Sequence, residues 1–157
     1  MGDAELKFPF ARELEEQHDA LRAAMRWFDS ELEADIAAGR DERRKAGEFL
    51  LVLREQLVQH FRFEELNGFE GGFGSDDPEL RRWTQELVRQ HHAFERRLDA
   101  LLSPLEQSGP GPGLPEDWLV GLRALLADLR RHDAEENALM LWIGHGPVDF
   151  AHEPESP

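Results

Sequence analysis

Hydrophobic residues recur at alternating steps of three and four positions in four separate segments of the chain. This spacing places apolar side chains on one side of an α-helix, so each segment predicts a helix with one buried stripe. Connections rich in glycine and proline, such as "NGFEGGFGSDDP" and "SGPGPGLPED", separate the segments. The sequence therefore predicts an all-α fold, an up-down-up-down antiparallel four-helix bundle.

Helix start and stop signals define the segments further. The first helix is predicted over residues 11–38 and ends near Gly39, since glycine favours the turn after a helix. Asp41 is the predicted N-cap of the second helix. Asp77 and Pro78 predict the start of the third helix, and "GHGP" ends the fourth.

Composition limits the classes of partner and compartment. We expect one domain over residues 1–157, with its core at about 11–143 and an extended tail at 144–157. The net charge of −15 argues against nucleic acid or an anionic membrane as a partner. The chain has no cysteine and no tyrosine, which excludes thiolate and phenolate ligands. No apolar run approaches the roughly 18 residues that span a bilayer, so we expect a soluble, cytoplasmic protein.

Each of the four apolar stripes contains a histidine where a hydrophobic residue is expected. These are His18, His60, His91 and His132. A glutamate follows three of them four positions later, and residues four apart share one face of a helix. The three acids are Glu64, Glu95 and Glu136.

This repeated pattern points to metal binding. One buried histidine is commonly a hydrogen-bonded core residue, but four imidazoles and three carboxylates in one layer would cost several kcal/mol per unpaired charge. At about 1.5 Å per residue, the helix bounds allow all four histidines to reach a common height. Seven ligands exceed the four of a tetrahedral zinc site, whereas two cations bridged by carboxylates fit them.

His18 and the later motifs "HFRFE", "HHAFE" and "HDAEE" resemble the hemerythrin-like, HHE cation-binding family over about Leu14 to Ile143. The resemblance implies two iron ions with carboxylate and oxo or hydroxo bridges. Glu64 and Glu136 match the bridging carboxylates of that family. The implied terminal ligands are His18 and His60 on one iron, and His91, Glu95 and His132 on the other. Ferritin-like centres use Glu-x-x-His instead, which the spacing here does not match.

The sequence also departs from the oxygen carriers of the family. Glu95 stands where they have a second histidine on the third helix, and Asn137 stands where they have an aspartate, so Glu136 must serve. An anionic ligand favours ferric iron, so we expect oxygen sensing or peroxide chemistry rather than reversible transport. His91 is the expected ligand rather than its neighbour His92, because its face also carries Phe94.

Several functions stay open at this point. The first is a binding protein that takes up dioxygen, peroxide or nitric oxide for sensing or scavenging. A diiron oxidase, peroxidase or monooxygenase is the second, and iron handling or repair is the third. A bundle stabilised by zinc without redox chemistry is the fourth. The sequence names neither an organic substrate nor a redox partner.

Overall fold

The computed structural model describes residues 10–69, 71–106 and 113–145, and these residues are almost entirely helical. No strand occurs among them. Within the same ranges, no helix combines the length and the apolar content that crossing a bilayer demands. From residue 146 onward, the predicted extended tail lies outside the described residues, whereas residues 144 and 145 belong to the last helix.

Four long helices follow one another along the chain. Helix α1 covers Ala11–Trp27 and continues through a π-helical turn, Phe28–Leu32, into Glu33–Ala37. Helix α2 covers Glu42–Glu64 and runs into a kinked turn at Glu65–Phe69, where Gly68 adopts φ +141°. Helix α3 covers Pro78–Glu106, and helix α4 covers Trp118–His145. These bounds agree with the predicted ones to within a few residues.

Local residues explain where the helices begin and end. Gly39 adopts φ +71° directly after α1, a left-handed conformation that glycine reaches without steric cost. Asp41 precedes α2 as predicted, but its side chain pairs with Arg44 and caps no backbone N–H group. Before α3, the backbone N–H of Glu79 donates to Asp77 Oδ1 at 2.9 Å, so Asp77 is a true side-chain cap.

The buried stripes follow the predicted positions closely. The predicted positions of α1 and α2 are all buried. On α3 the buried stripe ends with Leu98 and Leu102, while Leu101 and Leu105 are half-buried. The last step of this stripe is therefore four residues long.

Consecutive helices lie side by side with their backbones close together. Between α2 and α3, Arg43 donates to the carbonyl of Pro104 and Arg54 donates to Asp99, each at 2.9 Å. Arg54, the later of these two residues on α2, therefore contacts the earlier residue on α3.

A polar layer divides the core into two apolar clusters. On α3, Leu87 belongs to one cluster and Phe94 to the other. On α4, Leu139 belongs to the same cluster as Leu87, and Leu129 belongs to the same cluster as Phe94. The histidines and glutamates lie between these positions, so apolar side chains exclude water from both sides of the layer.

Candidate metal centre

Six of the seven predicted ligands meet in the polar layer. Each is 5% exposed or less, and together they are His18, His60, Glu64, His91, His132 and Glu136. Ionisable groups buried this deeply are costly unless they are paired or bind a cation. Partners or bound cations must therefore offset the charge of the cluster.

The first half of the cluster joins α1 and α2 to α4. Nε2 of His18 lies 3.1 Å from Nε2 of His60 and 3.0 Å from Glu136 Oε2. Nε2 of His60 lies 2.5 Å from Glu64 Oε1. One ligand atom from each of these four residues lies within 4.8 Å of the others, close enough to surround one metal ion.

The second half is formed by α2, α3 and α4. Nε2 of His91 lies 3.2 Å from Glu64 Oε2 and 3.3 Å from Glu136 Oε1. Nε2 of His132 lies 2.5 Å from Glu136 Oε1. These four residues form a second group with the same 4.8 Å limit.

Both groups contain the same two carboxylates. Glu64 directs Oε1 toward His60 and Oε2 toward His91. Glu136 directs Oε2 toward His18 and Oε1 toward His91. Each carboxylate thus offers one oxygen to each group, an arrangement that suits two adjacent cations sharing two ligands.

Two glutamines orient imidazoles of the cluster from outside. Gln17 Oε1 lies 2.9 Å from Nδ1 of His60, and Gln90 Oε1 lies 2.7 Å from Nδ1 of His132. An amide oxygen only accepts hydrogen bonds, so each Nδ1 is the donor. In the neutral imidazole, the lone pair then belongs to Nε2, which faces the cluster, as a metal ligand requires.

Carboxylates stand behind the other two histidines. Glu65 Oε1 accepts a hydrogen bond from Nδ1 of His91 at 3.0 Å. Asp133 Oδ1 lies 3.6 Å from Nδ1 of His18. Each group of four therefore has one imidazole backed by an amide and one backed by a carboxylate, and carboxylate partners increase the basicity of a ligand imidazole.

Three buried polar atoms of the cluster indicate whether a cation would fit there. Both carboxylate oxygens of Glu64 and Nε2 of His132 have no well-oriented hydrogen bond within the described part of the chain, although imidazole or carboxylate atoms lie close to them. Buried polar atoms are seldom left in this state. Metal ions between the two groups would satisfy all three atoms, so the donor set fits a metal centre.

Proton binding offsets the charge of the cluster when metal is absent. Burial has the largest effect and lowers the pKa of His18, but Glu136 and Glu64 together outweigh it and raise that pKa to about 9. The same opposing influences raise the pKa of His91 to about 10. For Glu136, burial raises the pKa, but the four close imidazoles outweigh it and hold the pKa well below its usual range. Imidazolium protons thus occupy the places that metal ions would take.

Comparison with known families gives one decisive match. The model of the hemerythrin HHE cation binding domain matches residues 10–141, which include all six clustered ligands. The chain belongs to this hemerythrin family. A search of curated proteins and a search of solved structures each gave no match.

Glu95, the seventh predicted ligand of this hemerythrin domain, is not among the clustered groups and is half-buried. The structure therefore does not bring Glu95 to the cluster. After His91 the buried stripe of α3 moves three residues to Phe94, so position 95 falls on the flank of the helix. The ring of Phe94 instead packs edge-on against His132, with centroids 5.2 Å apart. His92 is exposed, whereas His91 is fully buried.

The outer partners of the imidazoles were largely missed from the sequence. Gln17 and Gln90 directly precede His18 and His91 in the chain, and each supports the histidine of a neighbouring helix. The recurring Gln-His dipeptide is a signal that could have found them.

A small cavity lies beside the first group of ligands. The centre of a water-sized sphere can occupy about 20 Å³ of this cavity. His18, His60 and His132 contribute to its wall, together with apolar residues such as Met25 and Leu57. The space is enough for roughly one water molecule, which needs about 10–15 Å³ measured in this way.

Proposed function

We propose that this hemerythrin-family chain holds two iron ions bridged by Glu64 and Glu136. The observation that carries the proposal is that both carboxylates belong to both ligand groups, each with one oxygen toward each group. Oxygen and nitrogen donors suit iron, and the cysteine-free chain offers no thiolate.

The two ions would receive equal sets of terminal ligands. His18 and His60 would bind one iron, and His91 and His132 would bind the other. With the shared carboxylates, each iron has four protein ligands and keeps positions open for small molecules, as in other oxygen-reactive iron sites. Glu95 lies outside both groups and is not one of these terminal ligands.

The cavity favours a very small ligand. When bound, a diiron centre supplies the redox chemistry needed to take up dioxygen or nitric oxide or to reduce peroxide. Leu21, Met25 and Leu57 line the space and keep it apolar, while its volume admits little more than one water-sized molecule. This size supports dioxygen, nitric oxide or peroxide as the ligand and gives no support to an organic substrate.

The proposed role is sensing or scavenging of such a molecule by a single bundle domain. An up-down-up-down order of the four helices is part of this proposal, and the backward-moving contacts between α2 and α3 support it. Peroxide reduction as an enzyme is the second candidate, because peroxide fits the same cavity.

Mixing the reduced, iron-loaded protein with dioxygen tests the proposal. We expect one dioxygen per two irons to change the optical spectrum, with a zinc-loaded sample as the unreactive control. Catalytic consumption of peroxide with an added reductant would identify the enzyme. An iron-loaded protein that reacts with neither dioxygen, peroxide nor nitric oxide would overturn the proposal.

A further inference from the structure

The face between α1 and α4 differs from the other helix pairs. Close backbone approaches join α1 to α2, α2 to α3 and α3 to α4, but there are few of them between α1 and α4. Long arginine side chains cross this face to carboxylates on the opposite helix. The three pairs are Arg22 with Asp133, Arg130 with Asp29 and Arg123 with Glu33.

Arg22 is the member of this set that lies nearest the metal centre. Its Nε donates to Asp133 Oδ2 at 2.9 Å and its Nη2 donates to Asp133 Oδ1 at 3.1 Å, a two-point contact that holds the guanidinium plane in place. A further bond from Nη1 reaches Asp19 at 3.3 Å. The same Asp133 stands behind His18.

Two separate spaces meet at this side chain. The inner one is the small apolar cavity beside the ligands, and Arg22 and Asp133 form part of its wall. The outer one is a surface groove with about 380 Å³ of space for the centre of a water molecule, lined by Glu15, Asn137 and Met140. Arg22 and His18 line both spaces. Arg22 therefore borders both the solvent-facing groove and the cavity.

We propose that Arg22 is a gate that controls the entry of small neutral molecules to the centre. This inference rests on the proposed diiron function. The side chain of Arg22 is 33% exposed and that of Asp133 is 21% exposed. Both side chains reach solvent, so the long Arg22 side chain has room to swing outward once its two-point contact with Asp133 breaks, and this movement would join the groove to the cavity.

The charges around the gate select the class of ligand. Arg22 carries one positive charge. Negative charges lie on its two hydrogen-bond acceptors, Asp133 and Asp19, and on Glu15 in the groove. One positive against three negative charges leaves the entrance negative, which opposes the approach of anions. Dioxygen, nitric oxide and hydrogen peroxide carry no charge and enter without this barrier.

Stopped-flow measurements of nitric oxide and azide binding to the iron-loaded protein test the gate. Arg22→Ala should raise the association and dissociation rates of nitric oxide together, by about tenfold, and leave its affinity unchanged. A gate changes the barrier to both directions equally, whereas a loss of contacts at the centre would change affinity. Arg26→Ala is the control, because Arg26 is an exposed arginine one turn along the same helix.

Asp19→Asn tests the charge selection separately. It should speed azide association several-fold at low ionic strength while leaving nitric oxide association unchanged. If Arg22→Ala loses iron, Arg22→Lys replaces it, since lysine keeps the charge without the two-point contact. Unchanged nitric oxide rates in an Arg22 variant with two irons would overturn the gate and leave the diiron proposal intact. A wild-type protein that binds no iron would refute the proposed function instead.

Discussion

Replacing Glu64 by glutamine removes one of the two carboxylates that both ligand groups share. The substitution keeps the size of the side chain, so the packing around it changes little. Because Glu64 offers one oxygen to each group, both metal ions lose a ligand at once. We expect the variant to lose both ions. His60→Ala removes a ligand from only one group and should leave the other ion bound.

The stability change follows from ligand linkage. A site held at about 100 times its dissociation constant adds about 2.7 kcal/mol to the free energy of unfolding, so two sites add about 5 kcal/mol. For a chain of 157 residues, each kcal/mol shifts Tm by roughly 2–4 °C. Glu64→Gln should therefore lower Tm of the metal-loaded protein by about 10–20 °C. Loss of one ion should account for about half of that change.

Metal analysis and thermal unfolding of the purified variants measure both effects. Glu95→Gln is the matched control, since it makes the same chemical change four residues after His91 but outside the cluster. It should retain both ions and the wild-type Tm. Retention of one ion by Glu64→Gln would refute the assignment of Glu64 as a shared ligand, and loss of metal by Glu95→Gln would refute the placement of Glu95 outside the site.

Three further predictions test the surroundings of the centre. Gln17→Leu should weaken binding of one of the two ions about 10–100-fold in chelator competition, because it removes the hydrogen bond to His60 Nδ1; equal affinities would contradict this role. The raised pKa values of His18 and His91 stabilise the metal-free fold below pH 6.5, and this contribution is lost as pH rises through about 9 and about 10. Metal loading at pH 7 should accordingly release protons, detectable by pH-stat titration. Leu98→Ala, at a fully buried position, should cost about 2–5 kcal/mol in urea unfolding, and a loss below about 1 kcal/mol would contradict the packing.

The helices and most of the candidate site could be predicted because both depend on local spacing. His60 and Glu64 share a face wherever α2 is helical, and the flanking leucines identify that face as buried. The same spacing does not bring Glu95 into the cluster. On α3 the buried stripe steps from His91 to Phe94 and then to Leu98, so Glu95 lies one residue away from it, and packing against the neighbouring helices decides which of the two positions faces the centre.

Features that join distant parts of the chain were harder to predict. The contact of Gln17 with His60 and that of Arg22 with Asp133 depend on which helix flanks face each other. Spacing within one helix carries no such information. The π-helical turn Phe28–Leu32 within the first long helix was also not predicted, because no local residue pattern requires it.

The central claim is that two iron ions share Glu64 and Glu136 in one chain. Iron quantification combined with Mössbauer spectroscopy of the protein purified from iron-supplied cells tests it most directly. The account predicts two irons per chain that are magnetically coupled through their bridges, with near-ultraviolet absorption in the oxidised form. One zinc per chain, or a single uncoupled iron, would contradict it.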